Sequence, residues 1–163
     1  MNDDIIVTIS ASEGRRYMGV GMLGSVGALV LYVALSTPPS VGWLAFLLAV
    51  GVSTIWLATR MWQATQYTIE LTETELRCTD GNVIARIDDI ENIDSGFFAF
   101  KPSNGFLIKT KTPASRIWRP GLYWRMGRRI GVGGVTPGSQ SKAASEILAT
   151  MVARRNQAGD GRL

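Results

Sequence analysis

Arg129-Ile130-Gly131-Val132-Gly133-Gly134-Val135 is the segment most like a phosphate cradle, since clustered glycines let backbone amides approach an anion. A phosphate loop, however, opens a helix and carries lysine followed by serine or threonine at set spacing, and neither is present. The dinucleotide pattern G-x-G-x-x-G also fails, because no strand-helix-strand unit surrounds these residues. They read as strand-end turn glycines. Asp88 and Asp89 are adjacent carboxylates, but neighbours in a strand point to opposite faces, and the chain has no histidine to complete a metal or acid/base site. Serine nucleophile chemistry lacks its usual base for the same reason. Cys78, the single cysteine, has no disulfide partner and reads as a small apolar side chain in a strand. The expectation is a protein that is not an enzyme, with no catalytic residue, cofactor or metal.

A charge asymmetry is the stronger signal. From Glu70 to Asp94 eight acidic residues face only Arg77 and Arg86, whereas Lys101 to Lys142 holds nine basic residues with no acid between Asp94 and Glu146. Such blocks give a domain one positive and one negative part, hidden behind a net charge of +4. The candidate contacts for lipid or a partner are Lys109, Lys111, Arg116, Trp118, Arg119, Trp124, Arg125, Arg128 and Arg129, because tryptophan beside arginine suits both a lipid interface and a protein contact. The competing expectation is a solvated basic face cross-paired to the acidic strands, with the aromatics in the core. Nucleic acid is not an expected partner, since no binding motif accompanies the charge.

These residues must be positioned by two kinds of element. Tyr17 to Leu35 and Val41 to Leu57 are apolar runs, with no charge between Arg16 and Arg60. At 1.5 Å per residue each is about long enough for a bilayer core of about 30 Å. Ser36-Thr37-Pro38-Pro39-Ser40 breaks them into a hairpin, about 17–36 and 41–60. Arg15, Arg16 and Arg60 flank it and the connecting loop is uncharged, so both termini are expected in the cytoplasm. Transport chemistry needs ionisable groups inside the spans, and the sequence has none there. Gly21, Gly24, Ser25 and Ala28 on the first helix and Ala45, Ala49 and Ser53 on the second form small-residue stripes, expected to pack against each other or a partner helix.

Residues 1–16 read as a cytoplasmic N-terminal segment and 61–155 as one cytoplasmic domain, with 156–163 a flexible tail. Ile69 and Leu71 alternate with polar residues as a strand does, and Thr79-Asp80-Gly81-Asn82 is a tight turn inside a second hairpin. Ile87 to Asp94 is ambiguous between helical turn and strand, while Gly96–Phe100, Phe106–Thr112, Arg116–Arg119 and Leu122–Val132 supply further strands. Ala143, Ala144, Ile147, Leu148, Met151 and Val152 recur at helical spacing between Pro137 and Arg155, behind Thr136 as a cap.

That order resembles the bacterial pleckstrin-homology-like (PH-like) domains found behind transmembrane hairpins, over about 66–155, through Leu71–Ile87, Ile90/Ile93, Phe106–Lys111 and Ile130–Val132. The resemblance implies a membrane α-helical hairpin plus an α+β domain, an antiparallel, partly open β-barrel closed by one C-terminal amphipathic helix. It further implies an integral, two-span protein of the bacterial inner membrane. The expected function is non-enzymatic binding or scaffolding against anionic lipid, another copy or a protein partner. The alternative is an accessory subunit or assembly factor of a larger membrane complex.

Overall fold

Val7–Ser10, ahead of both apolar runs, is a strand, and the two long helices follow it inside the sheet's connectivity. The computed structural model describes residues 4–37, 39–94 and 102–160. In chain order these are β1 (Val7–Ser10), α1 (Glu13–Ser36), α2 (Val41–Ala64), β2 (Thr68–Leu71), β3 (Glu75–Cys78), β4 (Val83–Arg86), a 3-10 turn (Ile87–Asp89), β5 (Ile90–Asp94), β6 (Phe106–Arg119), β7 (Tyr123–Val132) and α3 (Gly138–Asp160).

The strands form two antiparallel sheets, ordered β1-β2-β3-β4 and β5-β6-β7. β1 pairs with β2 in the register Val7↔Leu71, Thr8↔Glu70, Ile9↔Ile69, Ser10↔Thr68, so the helical hairpin is an insertion between paired neighbours. Val7–Ser10 is therefore part of the domain's sheet, and Ile9, 1% exposed, belongs to the core. Burial of such a side chain contributes on the order of 2 kcal/mol. The single core draws on both sheets, through Ile69, Leu71, Leu76, Ile84, Ile90, Phe106, Ile108 and Ile130. α3 adds Ala144, Leu148 and Val152 to it, four apart on one helical face.

The expected turn chemistry is present. Gly81 has φ +89° and the Asp80 carboxylate accepts the Asn82 amide, closing the β3–β4 hairpin. The 3-10 turn settles the isoleucine step before β5, and Asp89 accepts the Thr112 amide and hydroxyl. α3 runs to Asp160, beyond the expected end at Arg155, while Ala143 turns outward. Gly96–Phe100 lies outside the described residues.

α1 and α2 are each 24 residues and apolar enough to cross a membrane, and only 11% of the residues in the most apolar window of each are buried within the chain. They pack antiparallel through a seam that is not the expected one. A Cβ added at Gly27 would lie 2.8 Å from Ile55, and one at Gly51 would lie 2.6 Å from Leu31, so each glycine receives a large side chain from the opposite helix. Ala34 and Ala58 are buried along the same helices. Gly21 and Gly24 have nothing within 4 Å of a built Cβ, and Ser25, Ala28, Ala45, Ala49 and Ser53 are exposed. The small-residue stripes thus face outward rather than each other.

Candidate functional site

The basic and aromatic candidates sit on the β6–β7 ribbon, which is long, irregular and curled. Its base pairs Phe106↔Val132 and its tip pairs Arg119↔Tyr123, with register shifts on either side of Ala114. Gly127 takes φ +61° at its partner position, a conformation that a side chain disfavours. The curl returns the tip to the base: the Gly133 amide donates to Leu122 O at 2.9 Å and the Val135 amide to Gly121 O at 3.0 Å. Alternation along β7 then separates two faces, with Tyr123 and Arg125 inward and Trp124 and Met126 outward.

Arg125 is an internal clasp rather than a contact residue. It is 8% exposed, and its guanidinium donates to Ser115 O (2.9 Å), Val83 O (2.8 Å), Ile84 O (3.2 Å) and Ser115 Oγ (3.0 Å). The free edge of β4 is thereby tied to the ribbon by a side chain. Arg119 likewise bridges to Asp80 at 2.7 Å, where the carboxylate is 3% exposed. Burial opposes ionisation of Asp80, but hydrogen bonds from Arg119 and the Asn82 amide outweigh it and hold its carboxyl below the ordinary range. The same hydrogen bond raises the pKa of Arg119. Beside this pair, burial pushes the Cys78 thiol up to about 11 and the Tyr123 phenol up to about 12. The Tyr123 hydroxyl is buried and has no hydrogen-bond partner among the described residues.

Three more candidates are cross-paired on the solvent side. Glu91 accepts from Lys109 at 2.8 Å and Arg128 at 2.6 Å, and the Lys109 hydrogen bond leads in lowering its carboxyl pKa. Arg128 also donates to Thr110 O and Lys111 to Asp88 O. These exposed pairs contribute little to stability. For Lys109, Lys111, Arg119, Arg125 and Arg128, the structure therefore favours internal pairing over a free basic face.

The remaining four candidates come together. Arg116, Trp118, Trp124 and Arg129, with Ile117, Met126 and Pro102, line a concavity of about 1000 Å³. Trp118 and Trp124 are cross-strand partners and share a face. Trp124 is seated on Gly131, where an added Cβ would stand 2.4 Å from its indole ring. The side chains of Arg116 and Arg129 make no hydrogen bond or ion pair among the described residues.

The concavity is joined to the apolar helices by Trp118, whose ring lies 6.4 Å from that of Trp56 on α2, the planes 30° apart. At the same end of the hairpin, Arg16 stacks 4.1 Å above Trp62, Tyr17 packs against Trp62 at 5.5 Å, and Arg60 lies 5.5 Å from Trp56. Arg15 donates to Thr136 O at 2.9 Å, tying α1 to the segment before α3. The Trp56–Trp118 contact has no local signal in the sequence, because it depends on the curl of the ribbon. Among the described residues no three His, Cys, Asp or Glu side chains gather as a metal site would require. No protein-family model, curated protein or solved structure matches the chain.

Proposed function

We propose that this protein is a membrane-anchored, non-enzymatic binding or scaffold protein whose cytoplasmic domain contacts anionic lipid through the concave face of its β6–β7 ribbon. The observation that carries it is the stack of Trp118 on Trp56, which joins that face to the flank of an apolar helix. Val41 to Arg60 rises about 28 Å at 1.5 Å per residue, close to the core thickness of a bilayer. Trp56 then lies about 6 Å short of Arg60, at the depth where tryptophan is enriched. Pairing of β1 with β2 supports a hairpin that leaves and re-enters on one side, and Arg15, Arg16 and Arg60 favour the cytoplasmic side. The two sheets and C-terminal helix are the architecture expected of a PH-like domain and support that family reading, in which the protein sits in a bacterial inner membrane.

A second reading, an accessory subunit of a larger complex, is favoured by the outward small-residue stripes, which suit close approach of a partner helix. Extraction from native membranes in mild detergent, followed by affinity purification and mass spectrometry of protein and lipid, separates the two. The proposal expects a lone chain or homo-oligomer enriched in anionic phospholipid. A stoichiometric larger protein without that enrichment would replace it with the second reading.

A further inference from the structure

We propose that the concavity between Arg116, Arg129, Trp118 and Trp124 holds the phosphate headgroup of one anionic phospholipid drawn from the leaflet that α1 and α2 cross. This rests on the membrane-anchored reading above and goes beyond a diffuse charged face.

Four observations converge on it. Five of the seven cations expected to bind lipid or a partner are engaged within the chain, whereas Arg116 and Arg129 have no partner among the described residues and line the same hollow. Among the described residues no carboxylate lines that hollow, so the two guanidinium groups have no counter-charge from its described lining. A phosphodiester supplies one, and its oxygens match the planar donor fork of arginine. The remaining lining is apolar and partly open to solvent, with Trp118 48% and Met126 50% exposed, as a surface for glycerol and upper acyl carbons would be. Finally, Trp118 meets Trp56 on the unburied flank of α2, so a lipid lying along that helix enters the hollow without leaving the leaflet. A soluble phosphate would gain nothing from the aromatic walls, and this favours a lipid as the source.

Gly131 is part of the device. Its missing side chain is the space that the Trp124 ring fills, so a larger residue there disrupts the wall while leaving both arginines in place.

The full chain, reconstituted in nanodiscs of phosphatidylcholine with one-quarter phosphatidylglycerol and released for native mass spectrometry, provides the test. Wild type should retain one phosphatidylglycerol in preference to phosphatidylcholine. Arg116→Gln/Arg129→Gln should lower that preference at least tenfold, and Gly131→Val should lower it with both charges intact. Slow maleimide labelling of buried Cys78 would verify that each variant is folded. Arg15→Gln/Arg60→Gln, which removes the Arg15 hydrogen bond to Thr136 O and the Arg60 contact with Trp56 but leaves every lining residue of the concavity in place, should keep the single bound lipid. If the double variant at 116 and 129 retains phosphatidylglycerol as wild type does while the 15/60 variant loses it, the pocket is wrong and the membrane-anchored reading stands. If wild type shows no anionic preference, the pocket and the lipid half of that reading both fail. A protein that co-purifies at this face and is lost with the same substitutions would also overturn the proposal.

Discussion

Arg125 separates the structure from a charge-based view of the ribbon most sharply. Replacing it with methionine keeps the bulk of the side chain but removes donors to Ser115 O, Val83 O, Ile84 O and Ser115 Oγ. The carbonyls of Ser115, Val83 and Ile84 lose their side-chain partner, the first two at part-buried and the last at a buried position, at about 1 kcal/mol each, and β4 loses its tie to the ribbon. The expected destabilisation is about 3 kcal/mol, a large part of the 5–15 kcal/mol typical of a domain. Cys78 offers a built-in assay, because it is the only cysteine and is 2% exposed. Its labelling by a maleimide requires the domain to open, so in detergent-solubilised protein Arg125→Met should label about 150-fold faster, at tenfold per 1.4 kcal/mol. Arg128→Met, which breaks a pair between side chains 47% and 39% exposed, should change the rate by about fivefold at most. Equal effects of the two substitutions, or an Arg125→Met rate within fivefold of wild type, would refute the clasp.

Other outcomes follow from burial. Tyr123→Phe should raise stability by about 1 kcal/mol, since it removes a buried hydroxyl that has no partner among the described residues and leaves the ring's packing intact; an unchanged or lower thermal midpoint would contradict this. Cys78 and Tyr123 have raised pKa values, so their neutral forms stabilise the fold fully below pH about 9 and that contribution falls as pH rises through about 11 and 12. Thermal scans should show a loss on the order of 2 kcal/mol by pH 10.5, largely absent from Cys78→Ala/Tyr123→Phe, and an identical loss in that double variant would count against the assignment. In the helical hairpin, Gly27→Val or Gly51→Val should cost about 1–3 kcal/mol by overpacking the seam, whereas Gly21→Val and Gly24→Val should be tolerated in the isolated chain; the reverse order in detergent unfolding would contradict the seam.

Much of the fold is legible in local pattern. The β3–β4 hairpin follows from Asp80-Gly81-Asn82, and α3 from apolar residues three and four apart, because turn chemistry and helical period are local properties. β1 is not among the strands expected from the sequence: Val7 and Ile9 alternate with Thr8 and Ser10 over only four residues, and the partner strand lies beyond two long helices, so no local signal joins the pair. The helix seam is less accessible. α1 carries small residues on two faces, and only the reciprocal fit of Leu31 over Gly51 and Ile55 over Gly27 selects one. The site is legible in composition and hidden in register. Trp118, Trp124, Arg116 and Arg129 belong to the basic, aromatic block, but Arg125 in the same block turns inward because it shares the face of buried Tyr123. Charge along a strand gives no face until one neighbour is fixed in the core.

The apolar helical hairpin is inserted within the sheet, so that a strand preceding the first helix pairs with the strand following the second. Thr8 and Glu70 are cross-strand partners near the surface. Cysteines at these two positions, in a Cys78→Ala background and in intact native membranes, should form a disulfide under mild oxidation, since directly opposed strand residues stand about 4.5–5.5 Å apart at Cα. Cysteines at Thr8 and Arg86, which lies on β4 beyond both intervening strands, should not. Efficient Thr8–Glu70 cross-linking is the expected result; its absence in membranes, with both cysteines labelled from opposite sides of the bilayer, would contradict the inserted anchor.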